Sequence, residues 1–266
     1  MKGILIDVTR CTGCERCAAA CVEANGLDRV RAEADRATTP DGLSADRYTS
    51  VIGLGDGRFA KKSCMHCQEP SCVSACLVGG ITRSPDGAVV YDPDKCIGCR
   101  YCMLACPFSV PRYEWDETVP FMRKCDMCAD RQTEGKPPAC VEACPNQALV
   151  FGDREALLAE AHQRLAARPD AYHQHVWGEE EFGGTGVLYV SDVELGSLGW
   201  PEAPPPSIPS LTHPLISKTP HIGLSVAAGL LGVNWIIRRR MTLADDGEAG
   251  EHSSESRETG KSSDDE

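Results

Sequence analysis

The chain is 266 residues long and carries 16 cysteines but only 6% aromatic residues, so something other than aromatic rings must fill and staple its core. Its 39 acids against 27 bases leave a formal charge of −12, which excludes a nucleic-acid binder working through a basic, phosphate-contacting face. The charge is uneven: residues 241–266 hold nine acids and two bases with almost no apolar content, which predicts a solvated, disordered tail.

In chain order, a short apolar strand over residues 3–8 leads into the first cysteine group, Cys11, Cys14, Cys17 and Cys21, spaced C-x2-C-x2-C-x3-C. The second group, Cys64, Cys67, Cys72 and Cys76, widens the middle gap to four residues and is followed by a short apolar segment at 80–82. A strand at 88–92 leads into the third, Cys96, Cys99, Cys102 and Cys106, which repeats the first spacing and adds Pro107. The fourth, Cys125, Cys128, Cys140 and Cys144, has eleven residues in its middle gap, Pro145 after it and an apolar segment at 148–151. No cysteine is left over. The chain also repeats itself: Ile6-Asp-Val-Thr-Arg-Cys-Thr-Gly-Cys aligns with Tyr91-Asp-Pro-Asp-Lys-Cys-Ile-Gly-Cys, and Lys62-Ser-Cys with Lys124-Cys. Gly13 and Gly98 fall where the backbone must pass close to an inorganic core.

Beyond the cysteines, residues 153–167 predict an amphipathic helix, with Asp153 as N-cap and Leu157, Leu158, Ala161 and Leu165 on one face. A strand is expected at 187–190. Residues 201–214 hold six of the 18 prolines, which predicts a stiff extended linker over 201–218. The 19 residues 219–237 carry no charge; at the helical rise they span roughly 28 Å, close to the ~30 Å hydrocarbon core. Trp235 near the end of that run and Arg238, Arg239 and Arg240 beyond it read as an interface anchor and a cytoplasmic flag. This favours a single transmembrane helix over a buried globular one, with a basic flank and disordered acidic tail over 238–266 inside the cell and the cysteine-rich body outside.

Three chemistries compete for the cysteines. Disulfide scaffolds belong to secreted chains, and the start MKGILIDV shows no charged-then-apolar leader. Zinc sites pair two C-x2-C knuckles across a longer loop, which only the fourth group resembles. The run C-x2-C-x2-C-x3-C-P resembles the ligand pattern of bacterial ferredoxins: three close cysteines wrap one face of a cubane, and the fourth, on the helix that follows, reaches the neighbouring cluster. Two copies of the C-x2-C-x2-C-x3-C spacing, the second with its proline, carry the iron–sulfur reading. The fold class expected is α+β, two nested bacterial two-cluster ferredoxin-like modules plus one C-terminal transmembrane helix. Residues 58–112 form the inserted module, 1–57 with 113–152 the outer one, and 153–200 a helix-and-strand extension. The crossover rule for such ferredoxins predicts four [4Fe-4S] clusters. Cluster one takes Cys11, Cys14, Cys17 and Cys144; cluster two takes Cys21, Cys125, Cys128 and Cys140. Cluster three takes Cys64, Cys67, Cys72 and Cys106, and cluster four Cys76, Cys96, Cys99 and Cys102. The alternative, in which each group binds its own cluster, asks a helix to turn its last cysteine back onto the first loop.

The motifs Cys64-Met-His-Cys-x4-Cys-Val-Ser-Ala-Cys, Cys96-Ile-Gly-Cys-Arg-Tyr-Cys-Met-Leu-Ala-Cys-Pro and Cys140-Val-Glu-Ala-Cys-Pro resemble the four-cluster ferredoxin subunit of membrane-bound respiratory oxidoreductases. That family includes the beta subunits of formate dehydrogenases and dimethyl-sulfoxide reductases and the iron–sulfur subunit of uptake nickel–iron hydrogenases. The resemblance covers about residues 3–240 and extends to Gly183-Gly-Thr-Gly-Val-Leu-Tyr-Val; Leu77 departs from it, standing where such proteins usually have proline. It implies an electron-transfer subunit, not an enzyme, between a catalytic subunit (a nickel–iron hydrogenase or a molybdopterin enzyme) and an integral membrane subunit holding quinone or haem. It also implies export, already folded, with a catalytic partner that bears the twin-arginine signal. The rival readings are a terminal reductase's subunit passing electrons the opposite way, and a structural zinc tether. Lys61, Lys62, Arg123 and Lys124 sit beside ligands and are expected to offset cluster charge. His66 lies between two ligands of a set complete without it, which favours packing or hydrogen bonding. His173 and His175 do not by themselves make a metal site, and His221 is read as interfacial. The glycines at 53–57 and 183–186 read as turns, since neither stretch has the strand-then-helix context of a phosphate loop.

Overall fold

Lys2–Asp7 reads Lys-Gly-Ile-Leu-Ile-Asp, an apolar run without alternation, as expected of a strand covered on both faces. In the computed structural model, which describes residues 1–198, 200 and 206–258, it is the central strand of the largest sheet. The strands are β1 (Lys2–Asp7), β2 (Ser50–Gly55), β3 (Arg58–Lys62), β4 (Ile81–Arg83), β5 (Val89–Tyr91), β6 (Arg112–Tyr113), β7 (Met122–Arg123), β8 (Leu149–Asp153) and β9 (Val187–Val190). Through the cysteine-rich body run α1 (Arg16–Ala24), α2 (Arg29–Thr38), α3 (Ser71–Ser74), α4 (Tyr101–Ala105), α5 (Ala129–Thr133) and α6 (Ala139–Glu142). After it come α7 (Arg154–Ala167), α8 (Ile208–Ile216) and α9 (Thr219–Glu258).

β1 pairs antiparallel with β8, Ile6 opposite Leu149, and parallel with β9, Ile4 opposite Val187. Alternate residues then serve two cores. Ile4, Ile6, Val187 and Tyr189 face the cysteine-rich side, while Leu5, Leu188 and Val190 pack on Leu157, Leu158, Ala161 and Leu165 of α7. Each fully buried aliphatic side chain here contributes about 1.5–3 kcal/mol. The extension over 153–200 is therefore no appendage, because β9 occupies the sheet edge that β1 would otherwise expose. Asp153 stands at the N-cap position of α7, but its side chain caps nothing; it pairs with Lys2 at 3.0 Å instead.

The internal repeat is visible in three dimensions. β1 and β5 each run into a short 3-10 turn capped by an aspartate: Asp7 accepts from the Thr9 N–H and Asp92 from the Asp94 N–H, both at 3.1 Å. β4 pairs antiparallel with β5 as β8 does with β1, and α3 packs on α4 as α6 does on α1. The glycines at 53–57 belong to the β2–β3 hairpin, whose Asp56-Gly57 turn has both residues at positive φ, as a two-residue hairpin loop requires. α3 stops at Ser74, before Leu77, without the family's proline.

Asp7 is fully buried and accepts from the Thr9 hydroxyl at 2.6 Å, the Tyr172 hydroxyl at 2.9 Å and Arg164 Nη1 at 2.8 Å. It ties the turn that delivers Cys11 to the chain beyond α7. Removing one member of a buried charge network costs about 3–5 kcal/mol. Asp7→Ala is therefore expected to lower the anaerobic thermal midpoint by roughly 10 °C, at a few degrees per kcal/mol for this length. Asp7→Asn, which keeps an acceptor, should lose much less; equal losses would remove the network argument.

Met1–Leu211 forms one compact unit and Thr212–Glu266 the other. Two expectations for the C-terminal part need correction. The stretch expected to be an extended linker is helical over Ile208–Ile216; Pro209 falls in the first turn, where its missing N–H breaks no bond, although Pro214 lies inside the helix. The stretch expected to be a disordered tail is helical as far as Glu258, since extending an established helix is far easier than nucleating one. Residues 201–205 and 259–266, also parts of the expected linker and tail, lie outside the described residues. Within α9, the 25 residues Thr219–Leu243 contain an 18-residue window of mean hydropathy 1.4, long and apolar enough to cross a bilayer. Arg239 lies over the Trp235 ring, 5.8 Å from its centroid.

Candidate metal centres

Cys11, Cys14 and Cys17 come from the loop between the first 3-10 turn and α1, where Gly13 (φ 71°) and Glu15 (φ 57°) take the left-handed conformation that curls the chain. A small cavity is lined by these three cysteines, by Cys144 from beyond α6, and by Ile6 and Lys61. Cys21, on the last turn of α1, lies away from it beside Cys128 and Cys140. In the other half, Cys67 lies beside Cys64, Cys72 and Cys106. Cys102 lies beside Cys96 and Cys99, and it packs with Cys76 in one apolar cluster. Cys144, Cys21 and Cys106 thus lie beside cysteines of another group, while Cys76 shares its apolar cluster with Cys72 of its own group as well as with Cys102. Three pairs are near enough to interact electrostatically across the neighbourhoods: Cys17 with Cys140, Cys125 with Cys64, and Cys72 with Cys102. Cys14 and Cys99 are the two exposed cysteines.

The donor set is tuned for negative sulfur. Backbone N–H groups reach Cys76 Sγ (from Gly80, 3.2 Å), Cys125 Sγ (from Met127, 3.3 Å) and Cys96 Sγ (from Gly98, 3.4 Å). Such donors favour thiolate over thiol. Burial acts the other way, pushing Cys17, Cys21 and Cys72 up to about 12, so binding iron must displace a proton from each. Among the described residues, no three His, Cys, Asp or Glu side chains converge on a single-ion site. The gathered cysteines with their amide donors fit a thiolate-ligated cluster.

The four basic residues expected to offset cluster charge divide into two kinds. Lys62 pairs with Asp41 at 3.2 Å and Arg123 with Glu114 at 2.7 Å. Lys61 is buried, bonded to Ser63 Oγ at 2.6 Å; burial opposes its charge, but Cys140, Cys125, Tyr189 and Cys17 outweigh that and raise its pKa. Lys124 is buried too and donates to the carbonyls of Val89 and Cys125. Lys61 thus places buried positive charge near Cys125 and Cys140, and Lys124 near Cys72.

His66 Nδ1 accepts from the Val89 N–H at 3.0 Å, while Nε2 is buried without a partner. Burial, then Lys124 and Lys61, hold its pKa well below the ordinary value, so the ring is neutral. The glycine-rich stretch at 183–186 clamps the loop around it: Gly186 N–H donates to the Met65 and His66 carbonyls and Gln68 N–H to Gly184. A side chain at Gly3 would strike the Gly186 carbonyl at 2.5 Å, so close approach requires glycine there. His175 pairs with Glu181 at 2.6 Å, His173 lies 3.9 Å from Glu194, and His221 is exposed. Missed in the sequence reading were Asn25, whose Nδ2 lies 3.6 Å from Cys21 Sγ, and two tyrosines, Tyr91 and Tyr113, beside Cys96 and Cys102. Asn25 had a readable signal, four residues after Cys21 at the end of one helix, and so did Tyr91, which stands opposite Ile6 in the repeat; Tyr113 had none.

Residues 56–154 match the family described as a 4Fe-4S dicluster domain. A protein of Nitratidesulfovibrio vulgaris (strain Hildenborough) is 44% identical over 75% of this chain and 56% of its own length. The hydrogenase-2 operon protein HybA of Escherichia coli O157:H7 is 33% identical over 94% of this chain and 87% of its own. The iron–sulfur subunit of the nitrate-inducible formate dehydrogenase of Escherichia coli K12 is 37% identical over 70% of this chain and 66% of its own.

Proposed function

Because the chain belongs to the family of iron–sulfur subunits of respiratory oxidoreductases, we propose that it carries electrons on four [4Fe-4S] clusters between a catalytic subunit and a quinone- or haem-bearing membrane subunit. It is an electron-transfer subunit; its residues supply ligation, spacing and potential, and the substrate chemistry belongs to a partner. When bound, each cluster exchanges one electron. The ligand sets are the crossed ones: Cys11, Cys14, Cys17 with Cys144; Cys21 with Cys125, Cys128, Cys140; Cys64, Cys67, Cys72 with Cys106; Cys76 with Cys96, Cys99, Cys102. The observation that carries this reading is the cavity that gathers Cys144 to the first three cysteines across more than a hundred residues of sequence. The proximity of Cys17 to Cys140, of Cys125 to Cys64 and of Cys72 to Cys102 supports an order one, two, three, four in space. The exposed Cys14 and Cys99 then belong to the two end clusters, where electrons enter and leave.

The names of the relatives point to a nickel–iron hydrogenase or a molybdopterin-dependent dehydrogenase as the catalytic partner. α9 anchors the chain, with Arg238, Arg239 and Arg240 on the cytoplasmic side and the cluster body outside. Anaerobic purification of the full chain should yield about sixteen iron and sixteen sulfide per chain, with a reduced spectrum of interacting cubanes. Zinc in place of iron would end the reading. Affinity capture from membranes should recover the catalytic partner, and protease added to intact spheroplasts should cut the cluster body; protection of that body reverses the sidedness.

A further inference from the structure

The turn before Cys96 repeats the turn before Cys11 with one change of chemistry. Ile6 lines the cavity shared by Cys11, Cys14, Cys17 and Cys144, and in the repeat Tyr91 stands in its place. The Tyr91 hydroxyl is buried without a hydrogen-bond partner. It lies beside the Cys96 thiol, and the Met122 N–H faces the same oxygen. A second hydroxyl arrives from a different part of the chain. Tyr113, only 3% exposed, sits on the short β6–β7 hairpin and places its oxygen 3.7 Å from Cys102 Sγ. Arg100, at the start of α4, lies 4.5 Å from the centroid of Trp115 and 5.9 Å from that of Tyr113, which holds the hairpin over the loop. Both tyrosines pack with Cys76 and Cys102 in one apolar cluster.

With a free thiol, either the sulfur or the hydroxyl of the Cys102–Tyr113 pair could donate. A sulfur bound to iron has lost its proton and only accepts, so the hydroxyl becomes the donor. The same holds for Tyr91, whose proton has no other partner. Reduction adds one negative charge that spreads over the sulfurs, so a donor aimed at them stabilises the reduced state more than the oxidised one. We infer that Tyr91 and Tyr113 are potential-setting residues, donating O–H···S hydrogen bonds to Cys96 and Cys102 and raising the reduction potential of that one cluster. The inference rests on the proposed ligand set Cys76, Cys96, Cys99 and Cys102. It makes the two ends of the wire chemically different: a methyl-bearing side chain at one, a pair of hydroxyls at the other.

The test is a potentiometric titration of the anaerobic full-length chain, followed by paramagnetic resonance, for wild type, Tyr91→Phe, Tyr113→Phe and the double variant. Phenylalanine keeps the ring and removes only the donor. The double variant should cut the reduced-to-oxidised ratio of one cluster about tenfold at fixed potential, a shift of about 59 mV downward for one electron. Each single variant should give a smaller shift in the same cluster, with iron content and the other three potentials unchanged. Full iron with no shift, or a shift in several clusters, overturns the inference. If the double variant loses iron, wild-type protein grown with 3-fluorotyrosine decides, because its more acidic hydroxyl has nearly the same shape. An upward shift confined to one cluster supports the assignment, and no shift overturns it. Wild-type protein without four cubanes would instead fail the ligand reading, and this inference with it.

Discussion

Cys144→Ser is expected to remove the cluster that Cys11, Cys14 and Cys17 help to hold, and to leave the one that uses Cys125, Cys128 and Cys140. The expectation is counter to sequence distance, since Cys144 is four residues from Cys140 and more than a hundred from Cys17. It follows from the way α6 ends. The Cys144 N–H bonds to the Val141 carbonyl, which closes the last turn and sends the side chain past Cys140 into the cavity beneath β1. Cys21, on α1 and near Cys128 and Cys140, would complete the other proposed quartet. Serine is a weak ligand for iron, so about four of about sixteen irons should be lost, with the spectrum of one end cluster. Cys21→Ser should mirror this by disturbing the quartet of Cys125, Cys128 and Cys140 while sparing that of Cys11, Cys14 and Cys17. Iron analysis with paramagnetic resonance on both variants checks the pair. If Cys144→Ser alters the spectrum of the Cys125 group alone, each group keeps its own cluster and the crossed sets are wrong.

The cysteine pattern was legible because ligand chemistry is rigid: three thiols two apart can reach one face of a cubane, and a helix must throw the fourth elsewhere. The strand before each run and the α7 face were legible from apolar periodicity. What β1 pairs with was not. β8 and β9 join it from far along the chain, and nothing local in Lys-Gly-Ile-Leu-Ile-Asp selects an antiparallel neighbour on one side and a parallel one on the other. Lys61 and Lys62 show a smaller case. Adjacent residues of a strand point to opposite sides, so one lysine meets thiols and the other Asp41, but only the fold says which. Asp153 is a reminder that a capping residue type is a competition: Lys2 across the sheet takes the carboxylate that the helix N-terminus was expected to hold. The Tyr113–Cys102 contact depends on a hairpin of two-residue strands and carried no sequence signal at all.

Stripping iron from the anaerobic, reduced protein is expected to unfold Met1–Leu211 rather than leave a folded shell. The secondary structure around the centres is too short to stand alone. α3 and α6 have four residues, α4 and α5 five, and β6 and β7 two. Isolated helices below about 12–15 residues are marginal in water, and a lone two-stranded hairpin is scarcely stable. The main core contains Cys64 and Cys140 and is lined by Cys17, Cys67, Cys106, Cys125 and Cys144, so much of what packs there is ligand rather than hydrocarbon. Without the clusters' negative charge, Lys61 would be a buried cation bonded to a neutral hydroxyl, a state that costs several kcal/mol. The layer of β1, β8, β9 and α7 is apolar, but β1 lies far along the chain from β8 and β9. Closing them together without the ligated loops between them costs chain entropy that this one layer must offset alone. Binding free energy of the clusters is then folding free energy. Chelation should abolish the cooperative thermal transition and most of the circular dichroism of this unit, leaving in detergent the helical signal of α9. Iron and sulfide added back should restore both. A chelated chain that still melts cooperatively within a few degrees of the loaded one would show that the hydrocarbon core suffices and that the sixteen cysteines decorate a fold they do not hold.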